Sequence, residues 1–163
     1  MGALSTSGST STLLSYPYDV GFDGYRNMYI VDCYNHRIQR YSPGSNVGST
    51  VAGFSLGSGA SRSELYYPSA ISVTPNGTMF ILDNYNFRVL RWQVGDQLGN
   101  VVAGGRGQGS TFDRMGYSYG IFLDDQYNVY ICEQGNHRVT LWMNGNTTAG
   151  RLVRPLLEIE FIY

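Results

Sequence analysis

The sequence predicts an all-β chain, an incomplete arc of about three four-stranded antiparallel blades of a β-propeller. Three observations carry this expectation. The phrase "VDCYNHRIQRY" at 31–41 returns as "LDNYNFRVLRW" and again as "CEQGNHRVTLW", at intervals of 51 and 50 residues. Each interval holds four short β-forming runs separated by turns rich in Gly, Asn and Asp. No stretch keeps an apolar period of about 3.6 residues for long enough to make a helix.

The elements follow in the same order in every unit. The first strand is expected at 19–23, with Val20 and Phe22 on one side, and then at 70–74 and 120–124. Turn sequences follow, "DGYRN", "TPNGT" and "DDQYN". The second strand is a continuous apolar run, "MYIV", "MFIL" or "VYIC", as expected for a strand covered on both faces. The third strand is "RIQRY", "RVLRW" or "RVTLW", and the fourth "TVA", "VVA" or "LV". Gly- and Ser-rich segments such as "GFSLGSGASRSE" lead to the next unit. A small twisted sheet of this size cannot bury both faces alone, so each unit must stack on its neighbours.

In register, the chain divides into the end of a preceding repeat at 1–13 and blades at 14–64, 65–115 and 116–153. A divergent tail follows at 154–163. "MGA" at 1–3 falls 51 residues before "AGF" at 52–54, and the pattern stops at Arg154, where "RPLLEIEFIY" replaces the next Gly-rich loop. The chain therefore reads as part of a larger ring. The apolar tail could add one strand, or it could be a break in the reading of a longer gene. An arc leaves two blade faces and their edges without partners, which drives association. Two copies closing one ring as a homodimer, or aggregation, is the expected outcome.

Composition narrows the function classes. Of 163 residues, 14% are charged and the net charge is −1. The 11 basic residues are all Arg, scattered and offset by 12 acids. A nucleic-acid or anionic-membrane surface needs clustered basic residues, so neither partner is expected. No apolar run reaches the roughly 18 residues of a membrane span. "MGALST" fits a myristoylation pattern, but the repeat accounts for it better. Cys33 and Cys132 occupy different slots and read as free thiols. Asn76-Gly-Thr and Asn146-Thr-Thr fit the glycosylation pattern in a chain rich in these residues, which leaves localisation open.

The repeated phrase resembles the NHL repeat, a Tyr-hydrophobic-hydrophobic-Asp strand followed by Asn-His-Arg-hydrophobic. It stands here as "YIVDCYNHRIQ", "FILDNYNFRVL" and "YICEQGNHRVT", with Phe87 in the His slot and Glu133 in the Asp slot. The resemblance covers 14–153 and implies a propeller of about six blades. It also implies that one ring face, edged by the loops into each blade and between its second and third strands, binds partners.

Each phrase places an acid five positions before an Arg across a tight turn, which suits a charge-assisted pair. The Asn between them suits the turn, because Asn tolerates positive φ and caps its own backbone. Asp32, Asn35 and Arg37, with Asp83, Asn86 and Arg88 and then Glu133, Asn136 and Arg138, are therefore read as structural. A motif repeated in every blade is scattered around the ring, whereas a catalytic site converges on one point. Candidate partner-binding residues lie where the blades differ: Tyr16, Cys33, Tyr34, Tyr66, Tyr67, Asn84, Tyr85, Tyr117 and Gln134. Tyrosine offers a rigid surface and one hydrogen bond, which suits recognition. The competing reading packs these rings between blades.

The expected function is a non-catalytic scaffold for a protein or peptide partner, with no metal and no cofactor. One alternative is an NHL-like propeller enzyme such as peptidylglycine amidating lyase, which resembles this repeat and holds zinc through histidines of several blades. His36 and His137 are the only histidines and occupy one repeated slot, short of the three ligands a catalytic zinc needs. The other alternative is single-stranded RNA binding, known among NHL domains, for which the aromatics are present and the basic groove is not.

Overall fold

A computed structural model describes residues 6–55 and 57–153. The expectations resting on residues 1–3 and on the tail from Arg154 lie outside the described residues. Three four-stranded antiparallel sheets make up the fold. The first holds β1 (Pro17–Phe22), β2 (Met28–Asp32), β3 (Arg37–Tyr41) and β4 (Ser49–Ala52), in that order. The second holds β5 (Pro68–Val73), β6 (Met79–Asp83), β7 (Arg88–Trp92) and β8 (Asn100–Gly104). The third holds β9 (Gly120–Leu123), β10 (Val129–Glu133), β11 (Arg138–Trp142) and β12 (Arg151–Leu152). The predicted propeller arc is the observed architecture, with strands β1, β5 and β9 of successive blades in contact.

Two boundary details differ from expectation. The first strands stop at Phe22, Val73 and Leu123, one residue early. Asp23 instead folds the turn: its Oδ1 accepts from the Tyr25 and Asn27 amides at 2.9 and 2.8 Å. Asp124 does the same for Gln126 and Asn128, both at 2.9 Å. At the other end, β1 and β5 begin at Pro17 and Pro68, with an irregular register after each proline. Proline donates no hydrogen bond to the ladder, so a strand start is where it fits.

The middle blade shows why the second strands read as unbroken apolar runs. Every residue of β6 is buried. Met79 and Ile81 join Ile71, Leu90 and Trp92 against Tyr29, Val31, Ile38 and Ala52 of the first blade. Phe80 and Leu82 join Ala70, Val89 and Ala103 against Val129, Ile131 and Trp142 of the third, with Met115 from the connecting loop. Alternation of side chains along a strand sends successive residues to opposite interfaces. Among the described residues the two outer blades each have one neighbouring blade, and Val20, Phe22 and Phe122 are exposed.

Tyr41, Trp92 and Trp142 close the third strands, and each covers a glycine. A Cβ at Gly48, Gly99 or Gly150 would collide with the ring, which is why a glycine immediately precedes each fourth strand. The indoles of Trp92 and Trp142 are fully buried.

Candidate functional site

The repeated phrase forms a clamp on the loop leading into its own blade. Between second and third strands lies one 3-10 turn, Cys33–Asn35, Asn84–Asn86 or Gln134–Asn136. Asp83 is fully buried, and its Oδ2 accepts from Arg88 Nε at 2.7 Å and Asn86 Nδ2 at 2.8 Å. Its Oδ1 accepts from the Tyr66 amide at 2.7 Å. The rest of the Arg88 guanidinium donates to the carbonyls of Ala60, Ser61 and Glu64 at 2.7, 2.7 and 3.1 Å. Asp32, Asn35 and Arg37 repeat this on Ser9, Thr10, Leu13 and the Ser15 amide. A loop without strand partners has its backbone polar groups satisfied by one guanidinium.

The expected role of the asparagine is corrected. The residues at positive φ are His36, Phe87 and His137, at 54°, 51° and 54°. Asn35, Asn86 and Asn136 instead reach back to the carbonyls of Gly8, Gly59 and Gly109, each at 2.8 Å. In the third blade the longer Glu133 displaces the carboxylate. It meets Arg138 through Nη2 at 3.0 Å and accepts from Thr140 Oγ1 at 2.7 Å, and Arg138 Nε is left without a partner.

The clamps bring the two sets of variable loops onto one face. The Tyr34 and Tyr85 amides donate to the Ser15 and Tyr66 carbonyls, both at 3.1 Å, and Gly135 donates to Tyr117 at 2.9 Å. There the aromatic rings form an unbroken series. Tyr16 meets Tyr34 at 4.4 Å between centroids, Tyr34 meets Tyr67 at 5.2 Å, and Tyr67 meets Tyr85 at 4.9 Å. Tyr85 meets Tyr117 at 5.2 Å, and Tyr66 touches both Tyr67 and Tyr85. Tyr16, Tyr34, Tyr85 and Gln134 are exposed, and Tyr66, Tyr67 and Tyr117 half-buried. Tyr16 and Tyr67 also hold positive φ, 47° and 44°, ahead of their prolines. Such backbone in a bulky residue gathers at functional sites.

Two candidates sit deeper. Cys33 is buried in the interface of the first two blades, because the 3-10 turn rotates it inward. Burial pushes its thiol up to about 11, the charge of Asp32 adding to the effect. Asn84 is only 2% exposed, and its Oδ1 accepts from the Ser118 amide of the next blade at 2.9 Å. Both lie at the base of a cavity of about 180 Å³ ringed by Tyr18, Tyr34, Tyr67, Tyr85 and Tyr119. Sequence reading missed Tyr18 and Tyr119; the signal was the shared Tyr-x-Tyr of "YPY" and "YSY", which the middle blade breaks with Ser69. Burial of Cys33 has a direct consequence. A thiol reagent at neutral pH should modify exposed Cys132 within minutes and Cys33 only after denaturation, counted by mass spectrometry.

His36 also belongs to this face. Its Nδ1 accepts from the Tyr67 amide across the blade interface at 3.1 Å, and burial holds its pKa below the usual value. The neutral ring is the form that can accept this bond. Among the described residues, no group of three or more His, Cys, Asp or Glu could hold a metal ion.

No family model and no curated protein matches the sequence. Solved structures do share the fold. A streptogramin B lyase aligns with 87% of this chain at 11% identity and TM-score 0.57. A Bacteroides thetaiotaomicron protein of unknown function aligns with 86% at 20% identity and TM-score 0.65. An auxiliary nutrient binding protein from Bacteroides ovatus aligns with 86% at 14% identity and TM-score 0.63. The chain spans 42%, 38% and 36% of these three structures respectively. They correct one expectation. The shortage of histidines suggested a chain that is no enzyme, yet lyases are among the proteins built on this fold, so a histidine count does not set catalysis aside. At these identities the likeness establishes the propeller-type fold.

Proposed function

We propose that the chain is an NHL-type propeller arc, with blades at 14–64, 65–115 and 116–153, whose tyrosine-lined face binds a protein or peptide. The observation that carries this reading is the continuous series of rings from Tyr16 to Tyr117 on the side where the clamps gather the variable loops. Rigid aromatic area with one polar tip per ring is the chemistry of recognition surfaces. A neighbour known as a nutrient binding protein lends the binding role further support. Panning a random peptide library against the chain tests it. Selected peptides should lose capture when Tyr34 and Tyr85 are both replaced by Ala, with the far-UV spectrum unchanged. Failure to select any peptide, or capture indifferent to both substitutions, would refute the reading.

A second reading concerns assembly. The outer face of the first blade presents half-buried Met28 and Ile30, and that of the third presents Val139 and Val153. In the middle blade the equivalent positions are covered by neighbours, Met79 and Ile81 on one side and Val89 and Val102 on the other. We infer that two copies join through these faces as a homodimer. Light scattering should give twice the 18.1 kDa chain mass, or larger aggregates. A stable monomer at high concentration would contradict it.

A further inference from the structure

We propose that the tyrosine face takes an extended, proline-rich peptide in the polyproline II conformation, with one prolyl ring seated in the cavity over Asn84. This rests on the peptide-binding reading above and names its ligand class. Four observations carry it.

The cavity contains an unused donor. Asn84 Oδ1 is occupied by the Ser118 amide, while Nδ2 makes no hydrogen bond within the described residues. Nδ2 is not among the buried atoms without a partner, so it is open to solvent at the cavity. It is a donor, so a ligand group that pairs with it is an acceptor, as a peptide carbonyl is. Second, the phenol hydroxyls of Tyr18, Tyr34, Tyr67, Tyr85 and Tyr119 also make no hydrogen bond within the described residues, whereas those of Tyr29 and Tyr41 do. A proline-rich segment has carbonyls to accept from these groups and few N–H groups that would need acceptors of their own.

Third, the rings make a ridged aromatic surface. Tyr34 and Tyr67 stand at 73° to each other, Tyr67 and Tyr85 at 55°, Tyr85 and Tyr117 at 59°, each pair in contact. Rings tilted against one another in this way offer no single flat face for a sugar to stack on, while prolyl rings can lie against their outward edges and faces. Aromatic-lined grooves of this kind bind the preformed polyproline II helix at low entropic cost. The cavity, about 180 Å³, falls below the roughly 300–1,000 Å³ of sites that enclose a small molecule. It therefore holds one ring of a ligand whose remainder lies along the outer tyrosines. Fourth, the acids nearest the face are already engaged: Asp32 and Asp83 in their clamps, and Asp19 by the Ile71 and Val20 amides at 2.9 and 2.8 Å. A cationic ligand would find no free carboxylate there.

Calorimetric titration of the chain with a ten-residue polyproline peptide tests the inference. Saturable binding with half-saturation below about 1 mM is expected. It should change little with added salt, since no ion pair is involved. Tyr34→Ala should weaken binding about tenfold or more. Asn84→Asp, which keeps the acceptor for the Ser118 amide and removes the donor, should do the same with the near-UV spectrum retained. Tyr25→Ala, an exposed ring in the turn between β1 and β2, should have no effect. No binding by polyproline would overturn the inference, as would binding indifferent to both Tyr34→Ala and Asn84→Asp. Preference for a cello-oligosaccharide or a trimethyl-lysine peptide would overturn it too. Should library panning still select other peptides, the broader binding reading stands while this inference falls.

Discussion

Arg88→Ala is expected to destabilise the chain by about 3–5 kcal/mol, the cost of leaving a buried carboxylate unpaired. Asp83 has no exposed surface, so its charge depends on the groups packed around it. The loss extends beyond the ion pair. The carbonyls of Ala60 and Glu64 lose the guanidinium, that of Ser61 keeps only the Glu64 amide at 3.3 Å, and the loop from Gly59 to Tyr66 is freed at one end. That loop carries Leu65, which is fully buried between the first two blades. The double variant Asp83→Ala/Arg88→Ala should cost clearly less than the two single changes added together, since removing both partners leaves no orphan charge. Thermal melts of the three variants measure this. An Arg88→Ala protein that melts like wild type would show that the phrase is not structural.

Trp92→Ala is expected to cost about 3–5 kcal/mol, the range for removing a large buried aromatic and leaving a cavity. The indole fills the interface of the first two blades, packs edge-on against Phe54 at 5.9 Å, and donates to the Asp96 carbonyl at 2.9 Å. Gly99 beneath it cannot fill the vacated space. Tyr41 occupies the same slot on the first blade, where no other blade of the described residues packs on it. Tyr41→Ala should therefore cost less, about 1.5–3 kcal/mol for lost burial alone. Chemical denaturation of the two variants gives the comparison. Equal losses would mean that the stacking of blades contributes nothing beyond burial within each blade.

The architecture was legible because repetition supplies its own register. Asp32, Asp83 and Glu133 align with their arginines in every unit, and an acid-Arg spacing kept in all three points to scaffold. The unbroken apolar run of β6 announced burial on both faces, and each of its residues is buried. Contacts at long range were less legible. Asn35 prefers turns by its intrinsic conformation, yet the left-handed position falls one residue later, on His36, and Asn35 anchors a carbonyl 27 residues upstream. No local preference encodes that distance. Cys33 varies between blades and so resembled a surface position, but a 3-10 turn alters which way successive side chains face. Tyr18 and Tyr119 end the entering loops "SYPY" and "GYSY", and only the curvature of the arc brings them over the same cavity. Two histidines in one repeated slot say little about catalysis, since lyases are among the proteins built on this fold.

The division between clamp and face is open to one direct measurement, the calorimetric melt of the Tyr34→Ala/Tyr85→Ala protein beside that of Arg88→Ala. Both rings are more than 40% exposed, and a substitution at an exposed position typically changes stability by about 0.5 kcal/mol, to which the loss of ring packing adds. The double-tyrosine variant should therefore lose only about 1–2 kcal/mol, well short of the Arg88→Ala loss. A melt as depressed as that of Arg88→Ala would make the rings part of the scaffold and contradict the assignment of this face to recognition.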